Sequence, residues 1–140
     1  MTAKQRLDLP LKLTLNESGK RLTQQRLEIL DYLRGVTTHP TSEMIYTALK
    51  KKLPYLSLAT VYRNVNYLAS EKMILEIKGE DGKMHFDGNN LAHIHFICKQ
   101  CQKIYDIWTK KAPQFAKIDE VAQIDRIDCT IYGLCKKCKK

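Results

Sequence analysis

No apolar run longer than a few residues interrupts this 140-residue sequence, and Phe96-Ile97-Cys98 is representative. Crossing a bilayer takes about 20 such residues, so no transmembrane helix and no membrane partner are expected. A secretory leader is not expected either: Lys4 and Arg6 precede a stretch broken by Asp8, Pro10 and Lys12, without a small-residue cleavage site. The chain is therefore read as cytoplasmic. Aromatic residues make up only 8%, against 44% hydrophobic and 28% charged, the balance of a globular protein rather than of a fibre or a disordered tail. Internal repeats and low-complexity segments do not occur. Acidic residues are in deficit, 15 against 24 Lys and Arg, and the net charge of +9 sets up a field that draws nucleic acid or another anionic surface. Many basic proteins bind neither, so charge alone decides nothing.

What is present begins with helical periodicity. After an arm with no sustained period, Thr23 caps a segment in which Leu27, Ile29, Leu30 and Leu33 share one stripe, with Gly35 expected to end it in a left-handed conformation. Thr41 and Ser42 open a second helix through Ile45, Ala48 and Leu49, closed before Pro54. Ser57 caps a third, where Leu58, Val61, Val65 and Leu68 face inward and Ala59, Tyr62, Arg63 and Asn66 fall on the opposite face. Two short strands, 74–78 and 84–87, flank the turn Gly79-Glu80-Asp81-Gly82-Lys83. Three helices and a hairpin predict a winged helix-turn-helix over 1–86, arm included. Gly88-Asn89-Asn90 marks a hinge at 87–90, and 91–140 forms a second, smaller α/β unit. It has strands at 93–98 and 104–108, a short helix after Pro113 built on Phe115, Ile118 and Val121 or Ala122, and a last strand through Ile127, Cys129 and Ile131. The fold class is α+β.

About 50 residues cannot bury a sufficient core unaided, and the cysteines offer a staple. Cys98-x-x-Cys101 and Cys135-x-x-Cys138 stand 33 residues apart and present four thiolates to a tetrahedral ion, for which Zn2+ is the natural occupant. Four cysteines leave no position for water, so this is a structural site; a redox dithiol is the competing reading. Cys129 is expected to be a buried core thiol.

A second constellation offers nitrogen and oxygen. His93 and His95 share a strand face by the period of two; Asp87, Asp106 and His39 join them if the two halves of the chain meet there. Such a set suits a borderline first-row ion, iron, manganese or zinc, with a position open to a small molecule. The plain alternatives are a turn carboxylate, a solvated strand residue and a loop histidine beside proline. A metalloenzyme using the His-x-His pair as a Lewis-acid site is a further alternative, without an obvious general base. His85 has no evident role.

Five segments together carry a resemblance: His39-Pro40-Thr41, Ser57-Leu58-Ala59-Thr60-Val61-Tyr62-Arg63-Asn64, Phe86-Asp87, His93-Ile94-His95-Phe96-Ile97-Cys98-Lys99-Gln100-Cys101 and Ile131-Tyr132-Gly133-Leu134-Cys135-Lys136-Lys137-Cys138. In order and spacing, from about Leu22 to Cys138, they resemble the Fur family of metal-dependent repressors. The resemblance implies a homodimer that binds double-stranded operator DNA, a dimerisation role for the second unit, and His39, Asp87, His93, His95 and Asp106 as ligands of a regulatory Fe2+ or Mn2+. Aspartates at 87 and 106 resemble the peroxide-sensing PerR branch, where iron-catalysed oxidation of a ligand histidine inactivates the repressor. A Fur- or Zur-type iron or zinc uptake regulator, without histidine oxidation, is the alternative. By the same resemblance the protein is not an enzyme. Arg21 would reach a minor groove, and Ala59, Thr60, Tyr62, Arg63 and Asn66 would face the major groove. Two departures stand out: Ala92, Arg126 and Ile127 lie where some relatives have ligands of a third site, and His85 replaces an arginine often found before Phe-Asp.

Overall fold

The computed structural model describes residue 19 and residues 21–109, 120–124 and 127–139. The chain divides into two units, Met1–Asn90 and Leu91–Lys140.

In the first unit, three helices run in the expected order: α1 (Gln24–Gly35), α2 (Ser42–Leu49) and α3 (Leu58–Ser70). Each begins at a hydroxyl that accepts a backbone N–H of the first turn: Thr23 from Arg26 at 3.4 Å, Thr41 from Met44 at 3.4 Å and Ser57 from Thr60 at 3.1 Å. Such caps satisfy donors that the helix cannot satisfy itself and contribute about 1 kcal/mol each. Gly35 departs from expectation. It is the last helical residue, lies outside the left-handed region, and the chain leaves through an extended Val36. The chain bends later, at Thr37 and Thr38, rather than at Gly35.

Ile29, Leu30 and Leu33 of α1, Ile45 and Leu49 of α2, and Val61, Val65 and Leu68 of α3 form one core with Met73, Ile74 and Phe86. The hairpin of β1 (Leu75–Lys78) and β2 (Met84–Asp87) pairs antiparallel, with Ile77 opposite His85 and Leu75 opposite Asp87. Its turn closes through Gly79 N–H to Lys83 C=O, 2.9 Å, and uses a left-handed Gly82, φ +75°. The Phe86 N–H donates to the Pro40 carbonyl at 3.0 Å, fixing β2 to the loop ahead of α2. This is a winged helix-turn-helix. Residues 87–90 belong to the same unit: Asp87 ends β2, Gly88 packs on the α1 backbone at Leu33 and Arg34, and Asn90 donates to the Lys72 carbonyl at 2.9 Å.

The second unit holds a sheet of order β4-β3-β5, with β3 (Ile94–Cys98) in the middle. β4 (Ile104–Ile107) is antiparallel to it and β5 (Thr130–Gly133) parallel. Of the helix expected after Pro113, Phe115 and Ile118 lie outside the described residues, while Val121 and Ala122 are not helical. The last strand starts only at Thr130. Cys129 is half-exposed rather than a core thiol, because β5 is an edge strand on which Ile131 and Tyr132 also remain 43% and 50% exposed. Among the described residues, no helix is long and apolar enough to cross a membrane.

Candidate metal centre

Sheet register assembles the four cysteines. Cys98 ends β3 and lies opposite Gly133 of β5, so the turn holding Cys101 and the turn after β5 holding Cys135 and Cys138 emerge at the same end of the sheet. The four Sγ atoms all lie within 4.8 Å of one another, and Cys101 Sγ is 3.8 Å from Cys135 Sγ. Four sulfurs each 2.3 Å from a tetrahedral zinc stand about 3.8 Å apart, so the cage is the size that ion requires. No disulfide forms; all five cysteines are free thiols.

The electrostatics agree with the geometry. Backbone N–H groups of Cys101 and Cys135 pull the Cys98 thiol down to about 6, and the Cys135 N–H lies 3.4 Å from its sulfur. Burial and its cysteine neighbours push Cys138 up to about 12. Neighbouring thiols driven in opposite directions lose all their protons together only around a cation. Tyr105, which sequence reasoning missed, is raised to about 12 chiefly by its hydrogen bond to Cys135, and so stays a phenol donor beside that sulfur.

The candidate nitrogen and oxygen ligands fall into two groups, one in each unit. In the first, the His39 Nε2 lies 3.4 Å from Asp87 Oδ2, and both residues are buried. Asp87 Oδ1 accepts the Asn89 N–H at 2.8 Å, which fixes the carboxylate plane. His39 has φ +49° although it precedes Pro40, a position that favours extended backbone. A left-handed non-glycine residue costs about 1 kcal/mol or more and is sustained here by two bonds: Phe86 N–H to the Pro40 carbonyl, and His85 Nδ1 to the His39 carbonyl at 2.6 Å.

In the second unit, β3 and β4 set His95 directly opposite Asp106. Asp106 Oδ1 lies 3.2 Å from His93 Nε2 and 3.6 Å from His95 Nε2, and the two rings meet edge to face with centroids 4.4 Å apart. His93 is held from two further sides. Its ring stacks on Trp108 at 4.5 Å, and its Nδ1 donates to the Leu91 carbonyl at 2.7 Å. With Nδ1 carrying the hydrogen, Nε2 points its lone pair at a carboxylate oxygen, an arrangement satisfied by a cation or a proton between them. Two imidazoles, one on β3 and one just ahead of it, and a carboxylate on β4 make a set of three groups of the kind borderline divalent ions favour. Trp108 and Leu91 gave no sequence signal, since neither side chain is itself a ligand.

The outer face of α3 is as expected: Ala59, Tyr62, Arg63 and Asn66 are exposed and Thr60 half-buried, while Arg21 is exposed just ahead of α1. Arg63 Nη2 donates to Thr60 Oγ1 at 3.2 Å. Tyr62 donates to Glu43 of α2 at 2.8 Å, a bond not foreseen, which aims the phenol along the helix pair.

Residues 17–132 match the profile of the ferric uptake regulator family. The chain is 39% identical over 132 residues to the peroxide-responsive repressor PerR of Staphylococcus aureus strain USA300, covering 90% of this chain and 87% of that protein. It is 37% identical over 133 residues to PerR of Staphylococcus epidermidis, covering 91% and 87%. Its fold resembles that of the Campylobacter jejuni peroxide stress regulator, with a TM-score of 0.68, 28% identity, and coverage of 99% of this chain and all of that one. A winged helix-turn-helix, a four-thiolate cage of zinc dimensions and a histidine-aspartate ligand set thus occur in a chain that belongs to the ferric uptake regulator family.

Proposed function

We propose that the protein is a dimeric repressor, cytoplasmic and not an enzyme, that binds operator DNA when metal-loaded and lets go when peroxide oxidises one of its ligand histidines. Cys98, Cys101, Cys135 and Cys138 hold a structural Zn2+. His39 and Asp87 from the first unit and His93, His95 and Asp106 from the second hold one regulatory Fe2+ or Mn2+. Ferrous iron held by these residues with a position open would supply the reducing chemistry by which hydrogen peroxide yields an oxidant for a neighbouring imidazole.

The chain's own residues do the rest. Ligands divided between two units tie metal affinity to one arrangement of those units, so metal favours the shape that fits DNA by its differential affinity. Asp106 brings two imidazoles to one carboxylate, and Trp108 with the Leu91 carbonyl locks the His93 ring in one orientation; His39 or His93 is the histidine that would gain the oxygen. On α3, Arg63 and Asn66 are placed for bases or phosphates, Tyr62 for a phosphate or a thymine methyl, and Ala59 and Thr60 for close approach to the groove wall; Arg21 reaches for an A·T-rich minor groove.

The observation carrying this reading is the pair of buried or half-buried aspartates, each against a histidine Nε2, in a chain similar to peroxide-responsive repressors over nine tenths of its length. Operator binding with Fe2+ or Mn2+, before and after dilute peroxide, tests it alongside mass spectrometry of the peptides holding His39, His93 and His95. Iron-loaded protein should lose binding and gain one oxygen atom, and manganese-loaded protein should keep both its binding and its mass. Loss without modification would indicate an uptake regulator of the plain metal-responsive kind, and repeated turnover of peroxide or simple esters would indicate an enzyme.

A further inference from the structure

The hairpin of the first unit contains a linked set of side chains that reaches back to His39. His85, on β2, places Nδ1 2.6 Å from the His39 carbonyl and Nε2 2.9 Å from Asp81 Oδ2 in the hairpin turn. Carbonyl and carboxylate are both acceptors, so the ring bonds them as a donor at both nitrogens. The turn is shaped around that ring. A Cβ at Gly79 would lie 2.8 Å from His85 Nε2 and Cδ2 and 2.5 Å from Asp81 Oδ1, so any larger residue there would displace the ends of both side chains. Asp81 is anchored in turn, since its Oδ1 accepts the Lys83 N–H at 3.0 Å. At the other end stands His39, whose left-handed backbone, φ +49°, determines where its imidazole points.

We infer that His85 is a positioning residue for the regulatory metal: through the Asp81–His85–His39 chain, the wing turn holds the backbone conformation that presents the His39 imidazole beside Asp87. The inference rests on His39 being a ligand, as proposed above.

Three variants of the zinc-loaded full chain test this. His85→Phe keeps a ring and removes both donors. Asp81→Asn leaves an oxygen to cap Lys83 but sets an amide NH2 against the imidazole, removing the charge from that bond. His39→Ala is the control for the ligand itself. Mn2+ affinity should fall on the order of 10-fold in His85→Phe, as for other outer-shell partners of metal ligands, and less, in the same direction, in Asp81→Asn. The ligand-field absorption of Co2+ at the nitrogen and oxygen site should shift in both, while zinc content stays unchanged; a merely structural role would move neither. Wild-type Mn2+ affinity and an unshifted Co2+ spectrum in both variants, with a loss in His39→Ala, would overturn the positioning role. Should His85→Phe not fold, Asp81→Asn decides alone, the turn being exposed. If His39→Ala itself binds Mn2+ normally, the ligand assignment falls and this inference with it.

Discussion

Gly88 offers a perturbation whose size the structure sets. A Cβ there would stand 2.5 Å from the Arg34 nitrogen and the Leu33 carbonyl carbon, and 2.7 Å from the Leu33 oxygen. Ordinary contact begins near 3.4 Å, so Gly88→Ala must open a gap of about 0.9 Å between β2 and the last turn of α1. Every atom it meets is backbone, and the helix it pushes carries Leu33 into the core at 1% exposure. Forced overpacking of this kind costs about 1–3 kcal/mol. For a domain of the first unit's size each kcal/mol lowers Tm by about 4–8 °C, so a fall of about 4–24 °C is expected in far-ultraviolet circular dichroism. Asp87 is the adjacent residue, so the same variant should also bind Mn2+ more weakly. Gly35→Ala is the matching control: nothing lies within 4 Å of its Cβ and the residue is helical, so it should stabilise by about 0.5–1 kcal/mol. If both glycine variants melted with the wild type, the reasoning from close approach at Gly88 would be refuted.

Asp106→Asn removes the charge of the carboxylate that faces two imidazoles, and Mn2+ affinity should fall by more than about 100-fold with zinc retained, as isothermal titration and metal analysis would show; equal affinity would remove Asp106 from the site. Cys135→Ser should abolish zinc binding and melt the second unit, since metal binding in small thiolate domains contributes about 10 kcal/mol or more to folding; a zinc-free but fully folded variant would contradict this. Arg63→Ala should weaken operator binding and lower the slope of log affinity against log salt by about 1, and an unchanged slope would take Arg63 off the phosphate backbone. Tyr62→Phe frees Glu43 from the phenol and leaves an acidic side chain unscreened on that surface, so affinity should drop further than in Glu43→Gln/Tyr62→Phe, as a double-mutant comparison would read.

Local chemistry was legible in the sequence. Thr23, Thr41 and Ser57 announced three helix starts because a cap is decided within four residues, and the two knuckles announced a thiolate cage because their spacing is local twice over. The pairing of His95 with Asp106 was half legible: alternation gave the face, whereas the register came from the turn between Cys98 and Lys103. Parallel pairing of β5 with β3 had no local sign at all, since it joins segments more than 30 residues apart. Cys129 and Ile127 alternate as a buried strand would, yet β5 lies at an edge, and alternation cannot tell an inner strand from an outer one. His85 stayed opaque because its partners are a backbone oxygen and a turn carboxylate, and neither leaves a motif.

β3 carries His95 and, three residues later, Cys98. An odd spacing sends them to opposite faces of one ribbon, whose alignment with both neighbours depends on the knuckles closing at one end. Dependence between the two chemistries therefore runs one way. Damage to the imidazoles leaves the thiolate cage intact and the damaged molecule folded, whereas opening the cage unfastens the strand on which the imidazoles stand. Removing the zinc should accordingly cost both sites, whereas replacing one imidazole should cost only its own.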